Sequence, residues 1–278
     1  MKPANLPKKS VYKPLVPAVE QASRILLCLG EGDRFKMRLT DICKEVGIHK
    51  SKGHSILNTL MKFGLVEKDP HAKTYSLGPA LIFLSRYVLE NLNYTDIVSP
   101  FLEDLAKETN GTALFGLING DHVFVVAKRE GNQNIGFSTR LGHRFHITLG
   151  AHGKAIVAFL PEKDREKVLA KKKVYFYGDP SRLNMKRLRD DLRKCRQLGF
   201  AQDLGEITPG VNGVSAPVFD LRNEIVGCVV LMGTFPESTV EIFGSKIADM
   251  GRQISYKLGA DLKTLWKDGK GNNLERAA

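Results

Sequence analysis

RLTDICKEVG, from Arg38 to Gly47, followed two residues later by KSKGHSILNTLMKF, from Lys50 to Phe63, decides the architecture of the first part of this chain. In the first stretch Ile42, Cys43 and Val46 recur at helical spacing. Thr40 is placed to cap that helix, and Asp41 sits in the first turn, where the helix dipole favours negative charge. Gly47 ends it. In the second stretch Ile56, Leu57, Leu60 and Phe63 share one face, while Lys50, Ser51, Lys52, His54, Ser55, Asn58 and Thr59 lie elsewhere, several of them opposite. A short helix, a glycine turn and a helix with an apolar back and a donor-rich front form a helix-turn-helix pattern. Gly53 is the awkward residue, because glycine inside a helix costs about 1 kcal/mol relative to alanine. Close approach to DNA, close approach to the preceding helix and tolerated drift all remain open as its reason.

Working outward, Val19, Ala22, Ile25, Leu26 and Leu29 predict an amphipathic helix that Gly30 and Gly32 stop. Downstream, Leu65-Val66 and Thr74 to Leu77 read as two short strands around the Asp69-Pro70-His71 turn. That hairpin carries Lys68, His71 and Lys73 and has the form of a wing. Residues 1–14, rich in Pro and Lys, read as a flexible basic arm with no apolar segment of a secretion signal. The formal charge of +12 is uneven: residues 1–78 hold 14 Lys and Arg against seven Asp and Glu. A basic unit with a polar helix face fits double-stranded DNA, whose base edges and phosphates accept from Lys, Ser, His and Asn. Arg38 and Thr40, at the entry of the second helix, join Lys50, Ser51, Lys52, His54, Ser55, Asn58, Thr59, Lys68, His71 and Lys73 as the expected DNA-contacting set.

Residues 79–93, PALIFLSRYVLENLN, form a helix so apolar that burial on most faces is expected. Beyond it, residues 97–109 read as a helix, and Thr112 to Asn119 and His122 to Ala127 as a hairpin around Asn119-Gly120-Asp121. Ile135 to Arg140 is a further strand, Lys154 to Leu160 a helix, and residues 162–198 a basic helical region. Val214 to Phe219 and Ile225 to Met232 are strands joined by a turn, and a last helix runs from about Ser238 to Leu258. Hairpins mixed with helices place the fold in the α+β class. The domain plan is an arm (1–14), a winged helix-turn-helix (15–78), a linker helix (79–93), a second domain (94–262) and a flexible tail (263–278).

Several chemistries are excluded. Cys28, Cys43, Cys195 and Cys228 lie far apart, which argues against a compact zinc site or a disulfide framework and fits a reducing cytoplasm. Gly150-Ala151-His152-Gly153-Lys154 lacks a phosphate loop's earlier glycine and its Ser or Thr after the lysine. His143, His146 and His152 have no repeating ligand spacing, no Gly-x-Ser-x-Gly elbow occurs, and no apolar run is long enough to span a bilayer. No metal, no cofactor, no membrane partner and no catalytic constellation are expected. The Lys and Arg residues of 171–196 are interleaved with acids and read as a solvated face.

These segments resemble the IclR family of bacterial transcriptional regulators. The likeness is carried by PAVEQASRIL (Pro17–Leu26), LTDICKEVGI (Leu39–Ile48), Lys50-Ser51, LNTL (Leu57–Leu60), FGLVEKDP (Phe63–Pro70) and YSLG (Tyr75–Gly78). It continues through LGHRFHITLGAHGKA (Leu141–Ala155), GFAQDLGE (Gly199–Glu206), Pro209-Gly210-Val211 and SAPV (Ser215–Val218). The resemblance implies a winged helix-turn-helix, a linker helix packed on a partner subunit, and a GAF-like α/β effector-binding domain, assembled as a homodimer or homotetramer. Family members that sense small keto-acids hold them with a carboxylate, a Cys and two Ser under apolar side chains. Carried over, the carboxylate falls on Asp203, the Cys on Gly213, and the two Ser on Val230 and Met232. The lid positions fall on Phe137 and Phe145 and the loop positions on Ala151 and His152. Three polar anchors are thus Gly, Val and Met, which implies a larger or more apolar, even aromatic, effector with His152 or Asp203 as its polar handle. The alternative is a DNA-binding regulator or architectural protein whose second domain is filled by its own side chains and serves oligomerisation.

Overall fold

The computed structural model describes residues 16–30, 36–91, 94–131 and 139–265. They form two compact units, one ending at Asn91 and one beginning at Leu92. The expected basic arm, and residues 266–278 of the expected tail, lie outside the described residues.

The first unit comprises α1 (Pro17–Gly30), β1 (Met37–Arg38), α2 (Leu39–Val46), α3 (Lys50–Lys62), β2 (Val66–Asp69), β3 (Thr74–Leu77) and α4 (Ala80–Asn91). Its core joins Ile25 and Leu29 of α1, Ile42 and Val46 of α2, Leu57 and Leu60 of α3, and Val66 and Tyr75 of the hairpin. The three strands pair antiparallel in the order β1-β3-β2, with Lys68 opposite Tyr75 and Arg38 opposite Thr74. The hairpin turn is organised by Asp69, whose Oδ1 accepts from the backbone N–H groups of His71 and Ala72 at 3.0 Å each. Its Oδ2 takes Lys36 Nζ at 3.1 Å.

Three details correct the sequence-based expectations here. Thr40 does not cap α2: Arg38 holds the N-cap position without a side-chain cap bond, and its backbone is extended because it also closes the β1-β3 pair. A two-residue strand has no periodicity of its own, so β1 was invisible. Nor, within the single chain, is the described first half of α4 buried on most faces: Ile82, Phe83 and Leu84 are 73%, 62% and 52% exposed. Three consecutive apolar residues cover more than half a helix's circumference, which one packed face cannot bury.

The second unit comprises α5 (Tyr94–Thr109), β4 (Thr112–Asn119), β5 (His122–Glu130), β6 (Arg144–His146), α6 (Gly150–Phe159), α7 (Glu162–Leu169), α8 (Met185–Leu198), β7 (Ala201–Leu204), β8 (Asn212–Phe219), β9 (Ile225–Gly233), α9 (Val240–Lys257) and α10 (Leu262–Leu265). Its six strands form one antiparallel sheet in the order β6-β5-β4-β9-β8-β7. Alternation sorts the two faces. Ala113, Phe115, Val214, Ala216, Val229 and Leu231 pack with residues of α5 and α9, while Val123, Cys228 and Val230 pack with Ile147 and Ile156 around α6. Two strands, β6 and β7, are absent from the sequence reading, and α6 begins four residues before the expected Lys154. Of the expected strand 135–140, residues 135–138 lie outside the described residues, and Thr139 and Arg140 are not in a strand.

Gly53 is explained by packing. It is buried where α3 crosses α2, and a Cβ there would overlap Cys43 Sγ. Of the three readings left open, close approach to the preceding helix is the one the packing supports. Gly53→Ala is therefore expected to destabilise the first unit by about 1–3 kcal/mol through overpacking. Adding Cys43→Ala should recover much of that loss in urea denaturation, because it removes the overlapping sulfur; strictly additive effects would contradict the overlap.

Candidate functional site

On α3 the sequence separates its two jobs by face. Gly53, Leu57 and Leu60 are buried, whereas Lys50, Ser51, Lys52, His54, Ser55, Asn58 and Thr59 are all exposed. His49 caps the helix, its ring nitrogen accepting from Ser51 N at 3.4 Å and lying 2.9 Å from Ser51 Oγ. Ser55 donates to Ser51 O at 3.1 Å and Thr59 to Ser55 O at 3.0 Å, so both hydroxyls offer lone pairs outward. Asn58 Nδ2 lies 3.2 Å from His54 Nδ1, which makes that nitrogen an acceptor and leaves Nε2–H as His54's outward donor. The first turn of α3 contains two lysines and no acid, the reverse of what the dipole favours. Exposed amides and two ammonium groups at a helix N-terminus suit a phosphate. Arg38, Thr40, Lys68, His71 and Lys73 are likewise exposed, and Lys68 Nζ lies 5.5 Å from the Tyr75 ring centre.

In the second unit, a cavity of about 250 Å³ opens between the sheet and the start of α6. Seven of the eight residues expected there, Phe145, Ala151, His152, Asp203, Gly213, Val230 and Met232, line it together. Phe137 lies outside the described residues. The sequence reading missed Leu114, Gly116, Val123 and Val125 from the sheet, Ile207, Thr208 and Val211 from the loop after β7, and Asn212 at the start of β8. Leu114 with Gly116 and Val123 with Val125 carry a period-two signal that could have found the strand residues; the loop carries none.

The polar groups are few. Asp203 is buried, and its Oδ1 accepts from the backbone N–H groups of Glu206 at 2.8 Å and Ile207 at 3.4 Å. Burial raises its carboxyl above the ordinary carboxylate range, against those two bonds and Lys154, which pull the other way. Gly150 has φ +52°, and a Cβ there would meet Asp203 Oδ2 at 2.9 Å, so only glycine lets α6 begin beside this carboxylate. His152 is buried with Nε2 3.2 Å from His146 O and its ring 5.5 Å from that of Phe145. Burial lowers its pKa to about 4, so it is neutral at physiological pH.

Behind the cavity, Lys154 is 2% exposed. Its Nζ donates to Glu206 Oε2 at 2.8 Å and Gln202 O at 3.0 Å, lies 3.6 Å from Asp191 Oδ2, and sits 4.5 Å from the Tyr177 ring centre. Arg187 also pairs with Glu206, and Arg182 donates to Glu206 O at 3.0 Å. These bonds fasten the loop 205–211, one wall of the cavity, to α6 and α8. Among the described residues, no group of three or more His, Cys, Asp or Glu is placed to hold a metal, and no helix is long and apolar enough to cross a membrane.

A winged helix-turn-helix in one unit and a pocketed α/β domain in the other define a DNA-binding transcriptional regulator with its own effector domain. Residues 18–70 match the IclR helix-turn-helix domain and residues 86–256 the bacterial transcriptional regulator IclR C-terminal domain, so the chain belongs to the IclR family. It is 25% identical over 249 residues to the HTH-type transcriptional regulator XynR of Escherichia coli, covering 88% of this chain and 98% of that one. An IclR-type regulator from Alicyclobacillus acidocaldarius shares the fold with a TM-score of 0.76 and 24% identity, over 89% of this chain and all of that one. An IclR homologue from Microbacterium hydrocarbonoxydans, solved with 4-hydroxybenzoate, does so with a TM-score of 0.71 and 17% identity, over 88% and 100%.

The pH response of the second unit follows from His152. Its folded pKa lies below the unfolded value of 6.5, so between pH 6.5 and about 4 the unfolded chain binds the extra proton. Stability is then unaffected above pH 6.5 and falls as the pH drops, by about 2 kcal/mol at pH 5. His152→Asn, which cannot take up that proton, should flatten the pH dependence of the urea midpoint across this window.

Proposed function

We propose that this protein is a ligand-responsive, sequence-specific regulator that binds a palindromic operator as a homodimer or a pair of dimers and senses a small, apolar or aromatic metabolite. The observation that carries the sensing half is the cavity itself: open space walled mainly by Leu114, Val123, Val125, Phe145, Val230 and Met232. A domain serving only oligomerisation would be expected to fill that volume with its own side chains. The positions where keto-acid sensors place a Cys and two Ser are Gly213, Val230 and Met232, which favours bulk over polarity. The relative solved with 4-hydroxybenzoate supports an aromatic ligand of this size.

On the DNA side, α3 lies in the major groove with Lys50, Ser51, Lys52, His54, Ser55, Asn58 and Thr59 toward bases and phosphates, Arg38 and Thr40 at its flank, and Lys68, His71 and Lys73 of the wing on the backbone. Residues 15–78 serve as reader, 79–93 as linker and 94–262 as sensor, working in the cytoplasm where the DNA is. The exposed Ile82 and Leu84 of α4 support a partner subunit packing there. Effector binding shifts the population between operator-competent and operator-incompetent spacings of the paired readers.

Replacing Ser51 or Asn58 by Ala should relax operator choice by about 1–3 kcal/mol at one base position. Lys68→Ala or Lys73→Ala should instead weaken binding to every sequence and lower the salt slope by about one. Unchanged footprints after Lys50, Ser51 and Asn58 are changed together would sink the recognition-helix assignment. For the sensor, Gly213→Leu is the sharpest change: a Cβ at Gly213 meets nothing closer than 3.7 Å, so the added side chain enters the cavity without backbone strain. Operator binding should survive it, while thermal stabilisation by any effector found in a screen of aromatic and aliphatic compounds should disappear.

A further inference from the structure

Asn58 and His54 stand one turn apart on the exposed face of α3, with Asn58 Nδ2 3.2 Å from His54 Nδ1. We infer that Asn58 selects an adenine in each half of the operator, and that His54 is the positioning residue that holds its amide the right way round. The inference rests on α3 being the recognition helix and adds to that reading the base and its selector.

The other polar side chains of this face lack a fixed two-sided pattern. Ser55 donates to Ser51 O at 3.1 Å and Thr59 to Ser55 O at 3.0 Å. Ser51 Oγ lies 2.9 Å from His49 Nδ1 at the cap. A hydroxyl whose proton is spent on the helix can accept from a base and has no donor left beside that acceptor. Lys50 and Lys52 end in ammonium groups, which only donate and pivot on four-carbon stems. An amide differs, because it carries a donor and an acceptor side by side.

Left alone, that amide could serve either purine. Its two N–H groups can meet the two acceptors of guanine, N7 and O6, whereas one N–H with the carbonyl oxygen meets N7 and N6–H of adenine. His54 removes the choice. With the amide nitrogen against it, Nδ1 accepts, and one Asn58 N–H is consumed. Asn58 keeps Oδ1 and a single N–H, and neither residue has a further partner among the described residues. An acceptor beside a donor complements adenine; against guanine it sets a carbonyl oxygen on O6. Residues four apart on a helix meet on one face, so the pair forms before any DNA arrives and its ordering cost is already met. Leu57 and Leu60, in the same turn, anchor the backbone beneath it in the core of the first unit.

The test selects sites for the full-length protein from a random duplex library, then measures affinity by fluorescence anisotropy on the selected site with each base in turn. One position per half-site should prefer adenine over guanine by about tenfold, and Asn58→Ala should erase that preference. His54→Ala should bring the same position to near parity. His54→Gln, whose side-chain oxygen can still accept from Asn58 at this spacing, should keep most of the preference. The double variant His54→Ala/Asn58→Ala should discriminate no worse than Asn58→Ala alone. The inference is overturned if the Asn58 position prefers another base, or if His54→Ala leaves its preference intact or acts only at a different base pair; α3 remains the recognition helix in each of those cases. If no sequence is enriched, or neither residue alters the selected sequence, the recognition-helix assignment falls and this inference with it. Both side chains are exposed, and retained preferences at the other positions of the site report a folded reader in each variant.

Discussion

Lys154 sits one turn into α6, almost without solvent contact, with its ammonium held by Glu206, the Gln202 carbonyl and Asp191. A charge at that depth is tolerated only while its partners stay in place; removing one strands the other in a low-dielectric interior. The consequence is positional. Glu206 belongs to the loop after β7, and the same loop supplies Ile207, Thr208 and Val211 to the cavity wall. Arg187 and Arg182 fasten it from a second side. The cavity therefore keeps its shape through an ionic cluster outside it, which leaves its own lining free to be apolar.

The division explains how the family's pocket can change its chemistry without losing its frame. Gly213, Val230 and Met232 alter what the cavity touches, while Asp203 still ties its loop through the N–H groups of Glu206 and Ile207. Asp203 serves both needs at once, holding the loop backbone through Oδ1 while lining the cavity. Gly150 makes this possible, since any side chain there would displace the carboxylate.

In the first unit the governing contact is steric. Gly53 lets α3 lie against Cys43 of α2, and that closeness turns the polar side of α3 outward as one continuous surface. The lysines at its first turn are unfavourable to the isolated helix, because they meet the positive end of the dipole. A phosphate at that end reverses the sign. The arrangement is thus less stable alone than it would be with acids, and better suited to a polyanion.

The helices and strands with a repeat were legible in the sequence, because period is a local property: the apolar backs of α2 and α3, the β2-β3 hairpin around Asp69, and the β4-β5 and β8-β9 pairs. The elements without one were not. β1 is two residues, β6 three, and β7 four, and each exists only because a neighbouring strand offers a free edge. The effector residues came into view in the sequence through family likeness, position by position, and their physical setting did not. That His152 packs on the His146 carbonyl, that Asp203 ties its loop through Oδ1, and that Lys154 is engaged by Glu206 depend on groups up to 52 residues apart meeting in space. What the sequence by itself determined was the order of the elements that carry a repeat and the basic reader, since these are carried by residue type and spacing; the Gly, Val and Met at the three anchor positions were read only through the family likeness. Only the tertiary structure decided which charges cancel, and hence the polarity of the cavity, because desolvation and partner choice are properties of the packed chain.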